Sequence, residues 1–267
     1  MSRQPDRPPP PPVVQRLRIR YAKRGRLRFT SHRDFSRAFE RAIVRARVPM
    51  AYSSGFNPHP RISYAGASPT GAASEAEYLE IGLARETDPA VVQAALDDAL
   101  PDGLDVLEVV ASQQGSLSDL LEASVWRTRV PDLSPDRARE AVAAFLAREE
   151  VLVERMTKKG LRTFDCRAAV VALAAAPWPA AGPTPRATSG PTTRPIAGGA
   201  DGECAILEMV LRHGTPTVRP DDVLAGLRAI SGLEAAAAPL HERLAQGPLD
   251  TVTGTVGDPL ALNRDTA

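Results

Sequence analysis

The chain has 267 residues, 43% of them apolar, which is enough for two modest cores at about 100–150 residues per domain. Its 33 basic and 32 acidic side chains leave a net charge of +1, so it is not basic or acidic throughout. No apolar run reaches the roughly 20 residues that a bilayer span needs, and the charged, proline-rich start is unlike a signal peptide; a cytoplasmic protein with no membrane partner is expected.

Residues 1–12 read as a disordered lead, because the run Pro8 to Pro12 favours an extended left-handed helix and cannot enter a sheet interior. From Val14 the pattern alternates. Val14, Arg16, Arg18 and Arg20 fall on one side, and Leu17, Ile19 and Tyr21 on the other. This predicts a half-buried strand with a basic outer face. Ser31-His32-Arg33-Asp34 has the form of a helix-capping box with Asp34 in place of the usual Glu. Phe35, Ala38, Phe39, Ala42, Ile43 and Ala46 then recur at helical spacing, and Pro49 ends the helix. Opposite that stripe run Arg33, Arg37, Arg41 and Arg45, four residues apart, as a slowly drifting cationic ridge.

A short extended piece (Met50 to Ser53) leads into the dense loop Ser54-Gly55-Phe56-Asn57-Pro58-His59-Pro60-Arg61. Ile62 to Ala65 and Glu77 to Leu83 read as strands. Asp88-Pro89 opens a helix to about Leu100, and Leu104 to Val110 is another strand. The order β-α-β-β-α-β is ferredoxin-like. It recurs: Ser124 to Val130 as a strand, a helix from Ser134-Pro135, Val151 to Arg155 and Arg162 to Leu173 as strands, then Cys204 to Leu211, a helix over Pro220 to Ile230 and a last strand near Leu244. The expected fold class is therefore α+β, with tandem ferredoxin-like (βαββαβ) domains. The boundaries are 13–112 and 120–250, with a flexible insertion at 177–203 and a tail at 251–267. Cys166 and Cys204 form no CxxC pair and are expected to be buried thiols in a reducing compartment.

Residues 16–47 hold twelve basic residues against two acidic ones, Asp34 and Glu40. The local charge is about +10, so the rest of the chain sums to about −9, and a polyanion would be drawn to this end. Tyr52, Phe56, Asn57, His59 and Arg61 add aromatic rings, an amide, an imidazole and a guanidinium to the adjacent loop. Arginine grips phosphate with paired hydrogen bonds, Asn reads base edges, and aromatic rings stack on bases. A structural turn, with Asn57 capping backbone groups and Phe56 packed inward, is the competing expectation. His32 at the helix start and His59 in the loop are candidate catalytic groups for metal-free RNA cleavage by general acid–base chemistry. Lys158, Lys159 and Arg162 form a secondary basic turn. No HExxH, cysteine cluster or phosphate-binding glycine loop is present in the sequence, so no metal and no cofactor is expected.

Gly25 to Asp34, Ala51 to Ser63 and Ser74 to Tyr78 resemble the radical SAM-linked protein family, a domain of unknown function numbered 2344. Thr157 to Gly160, Leu211 to Gly214 and Val218 to Pro220 are similar to its second half, so the resemblance covers about residues 14–230. It implies homologues fused to, or encoded near, radical SAM proteins, and it supplies no activity. This chain lacks the three-cysteine cluster motif of the radical enzymes themselves. The expected function is an accessory protein rather than an enzyme, binding or presenting RNA. The alternatives are an endoribonuclease using His32 or His59, and an adaptor that docks on a radical SAM or RNA-processing enzyme.

Overall fold

A computed structural model describes residues 12–113, 115–157, 160–177, 204–233 and 237–264. The proline-rich lead before Pro12, the basic pair Lys158 and Lys159, and the insertion beyond Pro177 lie outside the described residues. The fold is α+β, with antiparallel strand pairing and five α-helices among the described residues. The chain forms two compact units. One takes in the described residues up to Thr70, Ser74–Leu120 and those from Pro259; the other takes in Gly71–Ala73 and Leu121–Asp258.

The first unit opens with β1 (Gln15–Lys23), α1 (His32–Arg45), β2 (Ile62–Ala65), β3 (Ala73–Leu83), α2 (Pro89–Ala99) and β4 (Val106–Ala111). β1 pairs with β3 and with β4, and β2 pairs with β3, so the strands run β4-β1-β3-β2. Leu17 and Ile19 of β1, Leu79 and Ile81 of β3, Phe35 and Phe39 of α1 and Leu96 of α2 form one buried cluster. The alternation of β1 and the helical spacing of α1 and α2 put these side chains on facing surfaces.

The second unit contains β5 (Ala123–Pro131), α3 (Pro135–Leu146), β6 (Leu152–Thr157), β7 (Gly160–Asp165), β8 (Val170–Pro177), β9 (Cys204–Arg212), α4 (Pro220–Ser231) and β10 (Leu240–Gly247). Its strands run β10-β5-β9-β8, with β6 and β7 as a separate hairpin. The helices pack closely. A Cβ added at Gly226 of α4 would lie 2.8 Å from the Phe145 ring of α3. The described residues end in a short helix, α5 (Ala261–Arg264), which belongs to the first unit.

Three expectations need correction. The single strand expected over Arg162 to Leu173 is two, β7 and β8. Asp165 breaks it: its carboxylate accepts the backbone N–H of Val151 at 2.9 Å, of Arg167 at 2.9 Å and of Ala168 at 3.2 Å, which turns the chain. Cys166 is buried as expected, but Cys204 at the start of β9 is only half-buried; both are free thiols. The third correction concerns β1, whose basic face is covered at Arg18, partly covered at Arg20 and open at Arg16.

Arg18 is 2% exposed. Its Nε meets Glu80 at 3.3 Å, its Nη1 donates to Asn263 of α5 at 3.2 Å, and its Nη2 donates to the Gly115 carbonyl at 2.7 Å. Glu80 also accepts from Arg16 at 3.0 Å and from the Ser112 hydroxyl at 2.7 Å. Arg20 donates to the Glu75 carbonyl at 2.9 Å and Lys23 to that of Pro69 at 3.3 Å. Arg24 just beyond β1 bridges Glu75 and Asp105, and its bond to Glu75 holds the guanidinium above its ordinary pKa. α5 supplies part of this cover. Asn263 Nδ2 donates to the Ala111 carbonyl at 2.9 Å, and Arg264 pairs with Glu108 at 2.5 Å.

Candidate functional site

α1 begins where the sequence pattern places it. The Asp34 N–H donates to Ser31 Oγ at 3.2 Å, and Ser31 Oγ donates to the Asp34 carboxylate at 2.6 Å. This occupies a helix-start donor and ties down the acidic group nearest Arg33. Phe35, Phe39, Ala42 and Ile43 are buried, which turns Arg33, Arg37 and Arg41 outward. A residue every fourth position advances about 6 Å along the axis and drifts about 40° around it. Arg45 has drifted far enough to donate to the Ala99 carbonyl of α2 at 3.1 Å. The guanidiniums of Arg33, Arg37 and Arg41 make no hydrogen bond or ion pair among the described residues. Arg37, Glu40, Arg41 and Val44 line a shallow open depression on this face, and Val44 is 71% exposed.

The helix end adds a strained arginine. Val48 N–H donates to the Ile43 carbonyl at 3.1 Å and Arg47 N–H to that of Val44 at 3.2 Å, a closure that requires left-handed backbone between them. Arg47 takes it, with φ of 52°, where glycine is the usual occupant.

The loop before β2 is a small arm with a paired base. Ala51 N–H donates to the Gly82 carbonyl and Gly82 N–H to that of Arg61, each at 2.8 Å. Tyr52 bridges Pro60, Ser53 N–H donates to the His59 carbonyl at 2.8 Å, and His59 N–H donates to Ser53 Oγ at 3.0 Å. Gly55 turns the tip with φ of 134°, a conformation side-chain-bearing residues rarely adopt. The backbone is thus closed by Ser53. The Asn57 side chain makes no hydrogen bond among the described residues, and Phe56 is 88% exposed. The inward-packed turn is not what forms. Asn57, His59 and Arg61 are likewise exposed, and Tyr52 is partly so.

The two histidines occupy different places. His32 sits edge-on to the Tyr64 ring of β2 at 4.9 Å, where burial pushes the Tyr64 phenol up and the charge of Glu40 adds to the shift. Tyr64 is registered with Leu79, whereas the loop base meets Gly82 and Leu83. Those levels are about 10–13 Å apart along β3. His32 therefore belongs to the N-terminal end of α1, and His59 to the loop that follows its C-terminal end.

In the second unit, Arg162 is exposed on β7 opposite Arg155. Arg155 is engaged: it pairs with Asp222 at 2.6 Å and lies 4.9 Å over the Phe164 ring. One arrangement was not anticipated. His241 Nδ1 meets Thr128 Oγ1 at 2.9 Å and its Nε2 meets Asp221 at 2.9 Å, which depresses the Asp221 carboxyl. These are the residue types of a nucleophile, base and orienting acid. Thr128 is fully buried, however, so the group fastens α4 to the strands rather than meeting a substrate. Among the described residues no group of three or more His, Cys, Asp or Glu side chains could hold a metal ion. No helix among them is long and apolar enough to cross a membrane.

No curated protein matches the chain. The profile of a family described as an uncharacterized protein conserved in bacteria, DUF2344, matches residues 16–220. That span holds α1, the loop of Asn57 and most of the second unit, and the chain belongs to the DUF2344 family.

Proposed function

We propose that this is a cytoplasmic accessory protein of two ferredoxin-like (βαββαβ) domains, binding RNA through α1 and the Asn57 loop beside a radical SAM or RNA-processing enzyme. The fold part of this reading is supported by the strand orders β4-β1-β3-β2 and β10-β5-β9-β8, each with two helices between its strands. In the second unit the β6–β7 hairpin is then an insertion after α3. The radical SAM association rests on the sequence resemblance of the motifs around Asp34 and Asn57.

One observation carries the binding. Arg33, Arg37 and Arg41 present guanidiniums with no partner among the described residues, while Arg16, Arg18 and Arg20 of β1 each already hold an internal acceptor. A guanidinium that gives up no internal partner can bond phosphate at no cost to the fold. Asn57 and Arg61 on the loop add directional donors that such a ligand would meet. The experiment is binding of a mixed RNA pool at low salt by the wild-type protein and by Arg37→Gln/Arg41→Gln. The expected result is clear binding by the first and a loss of tenfold or more in the second. No binding at low salt, or equal binding by both, contradicts the reading. Discrete cleavage that vanishes in His32→Ala or His59→Ala would replace it with the nuclease.

A further inference from the structure

Phe29 is 64% exposed and stands in the turn just before α1. Phe ranks among the side chains most often buried, and this ring stands in water beside a helix start. Its neighbours are chemically telling: Arg26, His32 and Arg33 are all exposed within seven residues of one another. At the other end of α1 the loop tip holds Phe56, the most exposed aromatic ring of the first unit. The open guanidiniums of Arg33, Arg37 and Arg41 lie along the helix between these ends. From Arg33 to Arg41 the helix rises about 12 Å. That length matches three or four phosphates of a stacked strand at about 3.4 Å each, and the flanking nucleotides unstack and extend to reach the rings beyond the two helix ends.

We infer that the ligand is an unpaired RNA segment of about five nucleotides, with bases stacked on Phe29 and Phe56 and the intervening phosphates held by α1. The inference rests on the RNA-binding reading and adds strand state, length and two residues to it. Bases in a duplex are stacked on one another and cannot offer a face to either ring, whereas an unpaired base can. The rings carry no charge, so they do not serve a ligand recognised by phosphates alone. Sequence preference is expected to be weak, because every base has a stacking face.

The test uses the full chain and fluorescein-labelled oligonucleotides: a mixed-sequence hexamer, a trimer, an abasic hexamer, and a hairpin with a fully paired stem of matching phosphate count. The wild-type protein should bind the hexamer about tenfold more tightly than the trimer, and about a hundredfold more tightly than the abasic strand or the paired stem, neither of which offers a base to either ring. Phe29→Ala and Phe56→Ala should each weaken the hexamer about tenfold, the scale of one lost base–aromatic stack, and leave abasic binding unchanged. Phe29→Trp should restore binding, which separates loss of the ring's face from local misfolding. If both alanine variants bind the hexamer as the wild type does while Arg37→Gln/Arg41→Gln fails, the site reads phosphates only. The inference is then wrong and the RNA reading stands. Equal affinity for hairpin and hexamer also overturns it. Absence of binding to any RNA overturns the RNA reading itself.

Discussion

β1 and α1 are neighbours in sequence and equally rich in arginine, yet their cations have opposite fates. Arg18 is enclosed by Glu80, Asn263 and the Gly115 carbonyl, and Arg16 and Arg24 are paired with carboxylates. Arg33, Arg37 and Arg41 face solvent with no internal partner among the described residues. The difference follows from geometry. A strand inside a sheet offers both faces to later segments, and β1 lies between β3 and β4. A helix packed on one stripe keeps the other face in water. The +10 of residues 16–47 is therefore not one surface: Arg18 is withdrawn from a polyanion, whereas Arg33, Arg37 and Arg41 are open to one.

The comparison can be broken by mutation. Phe39→Ala should have the largest effect, because the ring is 1% exposed on the inner face of the helix that carries the open arginines. A loss of about 3–5 kcal/mol in urea unfolding is expected. Arg18→Met should come next, at about 3 kcal/mol, since it leaves the Glu80 carboxylate and the Gly115 carbonyl short of a donor. A loss under about 1 kcal/mol would make Arg18 as dispensable as a surface residue.

Arg47→Gly should act in the other direction. The left-handed backbone at φ 52° suits glycine, so the variant should gain about 0.5–1 kcal/mol in the same assay. Destabilisation instead would show that the Arg47 side chain contributes packing that outweighs the strain. Arg37→Gln/Arg41→Gln should change stability least, by under about 0.5 kcal/mol, because both side chains are exposed. A loss comparable to that of Arg18→Met would place the ridge inside the fold's own network.

Much of the local structure is legible in the sequence. α1 begins at the Ser31 cap and ends before Pro49, because capping and apolar spacing act within one helix. The outward ridge follows from the same periodicity. The cover over Arg18 is not legible, since Glu80, Gly115 and Asn263 come from distant parts of the chain. Asp165 broke an apparently continuous strand through side-chain bonds that hydrophobic alternation does not register. Phe29 reads as one more apolar residue in a mixed stretch, and only the folded chain shows it standing in water. The openness of Asn57 and Phe56 likewise depended on whether Asn57 or Ser53 closed the loop.

RNA phosphates are proposed to meet α1, and not β1. The most direct measurement is the slope of log Kd against log salt for a single-stranded oligonucleotide. Contacts from Arg33, Arg37, Arg41 and Arg61 would give a magnitude of about 3, at about 0.7 per neutralised phosphate. Arg37→Gln/Arg41→Gln should lower that magnitude by about 1.4, and Arg16→Gln/Arg24→Gln should leave it unchanged. A slope untouched by Arg37→Gln/Arg41→Gln, or reduced as much by Arg16→Gln/Arg24→Gln, would contradict phosphate binding by α1.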